Sequence, residues 1–233
     1  MDGVLADFSG SFREYEVRLF GPSQLPPDKD ELRKKGGDQP ETEEERQAAA
    51  EQDTRSRIET ARALRRRDDK IWEAIEATPN FWTTLKPTDT GVVRRIHSLM
   101  LRYKWEVFFI TQRPSTEGET VQRQTQRWLV DQGFDLPSVL VLSGSRGAAA
   151  KAIRLDYHVD DTSQNCFDVI ADSTAKPILI VPPTQHNAIA SARKLGIGVV
   201  HGIGEAVDIL EQATEARTNP TLLRRLAGIV GWK

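Results

Sequence analysis

The chain has 233 residues and a mass of 26.1 kDa, enough for one large domain or one domain carrying an insert. Its formal net charge of −2 gives no global positive field to attract a nucleic acid polymer. No apolar run approaches the ~18 residues that a membrane span needs. Charge is unevenly spread, with 25 of the 43 residues from Asp28 to Lys70 charged. The single cysteine, Cys166, excludes an internal disulfide and fits a reducing, cytoplasmic setting. The first residues, Met1 to Phe8, lack the basic-then-apolar pattern of a signal peptide, which supports the same expectation.

Residues 1–20 mix apolar and acidic groups with no clear period. Gly21-Pro22 and Pro26-Pro27 then punctuate the chain. From Asp28 to about Thr54 the sequence reads as a solvated loop or exposed helix, with Gly36-Gly37 and an acidic run from Glu41 to Glu45. A helical period emerges from Arg55 to Ala77, carried by Ile58, Ala61, Leu64, Ile71, Trp72 and Ile75. Arg65-Arg66-Arg67 lie among them, either as a solvated face or with one reaching an anionic ligand. Pro79-Asn80 ends this helix, and the aromatic pair Phe81-Trp82 follows.

After Pro87 helices alternate with short apolar runs. Val92, Ile96, Leu99, Met100 and Tyr103 make one helical face; Trp105 to Ile110 reads as a buried strand ending at Thr111. Val121, Thr125, Trp128 and Leu129 form the next helical face, and Val139 to Leu142 a second strand. A short helix from about Arg146 to Ile153 carries Lys151, with Arg146 and Arg154 close by. Tyr157 to Val159 is a third strand running into Asp160-Asp161, and Ile178 to Val181 a fourth. A helix through Ala190 to Leu195, a strand at Gly198 to Val200 and a helix over 205–215 complete the pattern.

Strands alternating with helices predict an α/β fold with a doubly wound, mostly parallel sheet. Ligands of such sheets sit at the carboxyl ends of the strands. The residues there are chemically unusual: Thr111 after one strand, Ser143 after the next, Asp160 and Asp161 after the third. Asp2-Gly3-Val4 has the look of a further strand end. Clustered carboxylates need a cation to stay ionised together. An all-oxygen set, without His or Cys, favours a hard ion such as Mg²⁺. A Thr hydroxyl and a Lys ammonium are phosphate-binding groups, so Asp2, Thr111, Lys151, Asp160 and Asp161 together suit phosphoryl transfer. Arg113 has equal claim to phosphate or to solvent.

These residues resemble the four motifs of the haloacid dehalogenase superfamily of phosphohydrolases. Asp2-Gly3-Val4-Leu5-Ala6-Asp7-Phe8 is similar to the end of the first motif, Thr111 to the second, Lys151 to the third and His158-Val159-Asp160-Asp161 to the fourth. The wording of the first stretch, and the aromatic pair in Phe81-Trp82-Thr83-Thr84-Leu85-Lys86-Pro87, resemble the 5′(3′)-deoxyribonucleotidase branch. The resemblance covers about 1–20 and 80–205. It implies a phosphohydrolase for a small phosphomonoester, such as a 5′-nucleotide, working through an aspartyl-phosphate with Mg²⁺. Asp2 would be the acid and base, and its carbonyl would help hold the metal with Asp160 and Asp161. Thr111 and Lys151 would bind the phosphoryl group, with Arg113, Phe81 and Trp82 as further substrate contacts. Residues 1–11 and 87–233 would form the core and 12–86 a helical cap, with the charged segment 28–54 flexible on its outer side.

The family's nucleophile stands two residues before the second aspartate, a position ahead of Met1, and its strand also precedes that point. We expect the reading frame to begin upstream, with Met1 the variable residue of Asp-Met-Asp-Gly; the alternative is a non-catalytic binding or regulatory relative. Loss of a nucleophile costs on the order of 10⁴-fold in rate, ~5.5 kcal/mol. His97, His158, His186 and His201 show no metal spacing, Phe81 and Trp82 also suit cap core, and Cys166 reads as a buried structural residue.

Overall fold

A computed structural model of the chain describes residues 1–22 and 43–217, with the backbone alone for 43–53, 55 and 56. Its helices and strands are α1 Phe8–Phe20, α2 Glu43–Glu76, α3 Val92–Tyr103, β1 Phe108–Thr111, α4 Val121–Asp131, β2 Ser138–Val141, α5 Arg146–Ala152, β3 Tyr157–Asp160, α6 Ser163–Asp172, β4 Lys176–Ile180, α7 His186–Lys194, β5 Gly198–Val200 and α8 Ile203–Ala216. A single 3₁₀ turn covers Phe81–Thr83. The alternation expected after Pro87 is present, with strand ends displaced by at most three residues. Helix α1 was not expected, because its small, aromatic and charged residues carry no 3.6-residue period. Of the segment 28–54, residues 43–54 are helical and 28–42 lie outside the described residues.

The strands form two parallel sheets rather than one. β1 pairs with β2, Phe108 opposite Ser138. β4 stands between β3 and β5, with Val159 opposite Ile178 and Leu179 opposite Val199. Among the described residues no ladder joins β1 to β3. The inner residues of β4 and all of β5 are buried without alternation, as in parallel strands covered on both faces. Among the described residues no helix is long and apolar enough to cross a membrane.

The chain divides into two compact units, Met1–Ser11 together with the chain from Pro79, and Phe12–Thr78. The expected insert boundary at 86 thus moves to 78. Local bonds explain the shift. The Trp82 amide donates to Gln124 Oε1 (3.0 Å), Trp82 Nε1 to the Pro114 carbonyl (3.0 Å) and Trp128 Nε1 to the Leu85 carbonyl (2.7 Å). Residues 81–85 are therefore fastened to α4 and the loop after β1. Gln124 is fully buried and satisfied, also donating to Thr116 Oγ1 and the Glu119 carbonyl.

Along α2 the residues from Arg57 to Lys70 are mostly exposed. Ile71 and Ile75 are buried, but Ile58 and Leu64 are exposed, so the apolar face is narrower than the sequence period implies. Arg67 pairs with Glu16 (3.1 Å) and lies over the Phe20 ring, which gives this member of the arginine triplet a place in the fold.

Candidate active site

The site is built on the carboxyl ends of β1 and β3 and on the turn at Met1–Asp7. That turn is tightly tied. The Val4, Leu5 and Ala6 amides all donate to the Met1 carbonyl, and the Gly3 amide donates to the Ala6 carbonyl. Thr88 fixes it from outside, with Oγ1 on the Val4 carbonyl (2.7 Å) and its amide on the Leu5 carbonyl. Gly3 has φ +70°, and a Cβ there would collide with Asp161 Oδ2, so glycine is required on both counts. The same fact places the Asp161 carboxylate against the turn that carries Asp2.

Thr111 ends β1, is buried, and donates from Oγ1 to Asp2 Oδ2 (3.2 Å). Arg113, two residues on, holds Asp2 through Nε and Nη2, the shortest contact being 2.6 Å. Its Nη1 donates to Thr125 Oγ1 (2.9 Å), and the Trp82 ring lies 4.7 Å from the guanidinium carbon. Trp82 is buried, packed on Phe8 and Phe81, and so supports Arg113 from beneath. Phe81 is buried as well, and neither ring presents an open face for a substrate's base.

Asp160 ends β3 and is surrounded by donors. The Thr162 amide (2.9 Å) and Asn165 Nδ2 (3.0 Å) donate to Oδ1, and His158 Nε2 lies 3.2 Å from Oδ2. Burial pushes this carboxyl up, but the bonds from His158, Asn165 and Thr162 outweigh it and bring the pKa down to about 2. Asp161 behaves oppositely: burial and the adjacent Asp160 charge raise it. Asp2 is raised by burial and lowered more strongly by Arg113 and Thr111, ending below its ordinary value. The carboxyl best disposed to keep a proton is therefore Asp161, whereas the resemblance gives the acid–base role to Asp2.

The structure thus gathers Asp2, Thr111, Arg113, Asp160 and Asp161 around the Met1 amine, whose charge interacts with Asp2, Asp160, Arg113 and Asp161. It does not bring Lys151 to them. Lys151 is exposed in the last turn of α5, and among the described residues no hydrogen bond or ion pair joins it to the cluster. Arg146, in the first turn of α5, is buried instead, and among the described residues its Nη1 has no hydrogen-bond partner. His158, Asn165 and Thr162 were missed as site residues. Only His158 and Thr162 gave a signal, by flanking the acidic pair.

The donors fit a hard divalent ion in kind. Asp160 and Asp161 are adjacent like charges that a cation would relieve, and among the described residues no backbone amide donates to the Asp2 carbonyl. They are not arranged as a preformed cage: among the described residues no group of three or more His, Cys, Asp or Glu side chains is placed to hold a metal. Both Asp2 carboxylate oxygens are already held by Arg113. No family model matches this chain, and neither a curated protein nor a solved structure matches it.

Proposed function

We propose that this chain is a Mg²⁺-dependent phosphohydrolase of the haloacid dehalogenase type, acting on a small phosphomonoester such as a 5′-nucleotide in the cytoplasm. The observation that carries the reading is the convergence of Asp2, Thr111, Asp160 and Asp161 beside the carboxyl ends of two parallel strands. Arg113 adds a buried, bidentate cation, the group best suited to a phosphate dianion.

In this reading Thr111 and Arg113 bind the phosphoryl oxygens. A bound phosphate competes with Asp2 for Arg113. As the guanidinium turns to phosphate, Asp2 is released and its pKa rises. It then gives a proton to the leaving oxygen and later takes one from water. Asp160, Asp161 and the Asp2 carbonyl would hold the metal, which neutralises charge on the phosphoryl oxygens when bound. The attacking carboxylate of the resemblance belongs two positions before Asp2, and the aspartyl-phosphate it forms is hydrolysed by water.

The closed Asp2–Arg113 pair favours a second reading, a phosphate-binding relative without turnover. The test is phosphate release from nucleoside monophosphates and p-nitrophenyl phosphate, with and without Mg²⁺. It is run on the 233-residue chain and on the chain extended by its upstream codons. Mg²⁺-dependent release supports the first reading. Thermal stabilisation by inorganic phosphate without release supports the second.

A further inference from the structure

A cavity of about 630 Å³ opens beside the candidate site, within the same compact unit. Gly3 forms one side, Asp89 and Thr90 a second, and Ile180 with His201 to Gly204 the third. Ile180 ends β4 and His201 follows β5. Both strands run parallel to β3, so these residues share the carboxyl edge at which Asp160 stands. Asp161 Oδ2 lies against Gly3, which is therefore common to the cavity and to the candidate site.

The polar side chains on its walls have unused bonding capacity. Among the described residues neither the Asp89 carboxylate nor the Thr90 hydroxyl has a hydrogen-bond partner. His201 is held at two points: its amide donates to Glu205 Oε2 (2.8 Å), and its Nδ1 lies 2.9 Å from the Val181 carbonyl. A carbonyl only accepts, so Nδ1 carries the hydrogen and Nε2 of the neutral ring is left as an acceptor. Glycine keeps the cavity open. A Cβ on Gly202 would meet nothing within 4 Å.

We propose that this cavity is the leaving-group subsite of the candidate active site, and that it takes the hydroxyl groups of a sugar. The proposal rests on the phosphohydrolase reading for the place of the phosphoryl group. Asp89 and His201 offer acceptors and Thr90 offers either role, a set that suits several hydroxyl donors on one short carbon frame. A second phosphate or a carboxylate would meet the charge of Asp89. An ammonium has less to gain, because Asp89 Oδ2 lies 3.3 Å from the Cβ position of Gly204, in the first turn of α8. The dipole of that helix already offsets the carboxylate charge. The ends of β3 and β5 are two strand spacings apart, about 10 Å, a span that fits a phosphoryl group at one end and sugar hydroxyls at the other. A free sugar phosphate and the ribose of a 5′-nucleotide present the same hydroxyls.

The test is calorimetric titration of the 233-residue chain with D-ribose 5-phosphate, adenosine 5′-monophosphate, n-pentyl phosphate and 5-aminopentyl phosphate, with Mg²⁺ present. The two ribose esters should bind at least about tenfold more tightly than n-pentyl phosphate, the worth of one or two net hydrogen bonds, and the tighter of the two names the source of the sugar. That ratio should fall to about one in Asp89→Ala and in Gly202→Leu. Gly202 has φ −165°, so leucine there fills the cavity without backbone strain. Because the ratio is taken within each variant, binding of n-pentyl phosphate serves as the check on its fold. Equal affinity for ribose and pentyl esters overturns the proposal, as does a preference that survives both variants or tightest binding of the aminopentyl ester. Failure of the phosphohydrolase reading looks different. A ribose preference that depends on Asp89, without phosphate release from any ester, removes turnover and keeps the subsite, whereas no binding of any of the four esters overturns both.

Discussion

Arg113 Nη2 lies 2.6 Å from Asp2 Oδ1, and Arg113 Nε lies within 3.1 Å of both oxygens of the same carboxylate, across a sequence separation of 111. The guanidinium side chain is 1% exposed and the carboxylate 27%. A buried pair of this kind is worth little against an apolar replacement, but leaving one member alone is costly.

Asp2→Ala therefore strands a buried guanidinium and should destabilise the protein by about 3 kcal/mol, read from denaturant unfolding. Arg113→Met should cost less, because Asp2 retains some solvent. The double variant should recover part of the loss of Asp2→Ala. Additive losses would mean that the two side chains are not coupled.

Gly3→Ala forces a Cβ into Asp161 Oδ2 at a backbone φ of +70°. The expected loss is about 1–3 kcal/mol, measured as a fall in Tm. A neutral substitution would show that the Met1–Asp7 turn is not held against Asp161.

Asp160 has its pKa lowered to about 2 from an ordinary 3.8. A depressed carboxyl contributes stability that is complete above its unfolded pKa and is lost as pH falls through the folded one. The window is thus about pH 4 down to 2, with a size of about 2 kcal/mol. Asn165→Leu should shrink this acid-side loss, measured by unfolding free energy across that range. An unchanged pH dependence would show that Asn165 does not hold Asp160 ionised.

Asp161 is raised, so its contribution runs the other way: stability is present below pH 4 and lost as pH rises through its folded pKa. Asp161→Asn should therefore stabilise the metal-free protein at neutral pH, read as a rise in Tm. It should also abolish the rise in Tm that Mg²⁺ gives the unsubstituted protein. A retained Mg²⁺ response would remove Asp161 from the metal site.

Cys166 is fully buried in the first half of α6, and burial followed by the charges of Asp160 and Asp161 pushes its thiol up. It should stay unmodified by iodoacetamide in the folded protein and react on unfolding. Native-state labelling would contradict its burial.

Much of this was legible in the residues. Alternating apolar periods located α3, α4, α5, α7, α8 and all five strands, and the strand-end rule pointed to Thr111 and Asp160. What escaped notice depends on distant partners. Nothing near Arg113 signals Asp2, and Gln124 looks like a solvent residue until Trp82 supplies its bond. Lys151 matched a spacing, but a seven-residue helix leaves it exposed while Arg146 is buried. Phe81 and Trp82 read as cap core ahead of stacking groups, and packing with Phe8 makes them core of the larger unit rather than of the insert.

The central claim is tested most directly by phosphate release from a panel of phosphomonoesters, with Mg²⁺ or with EDTA, comparing the upstream-extended chain with its Asp161→Asn variant. The account predicts release that requires Mg²⁺ and is lost in the variant. No release from any ester, or release indifferent to EDTA and to Asp161→Asn, would contradict it.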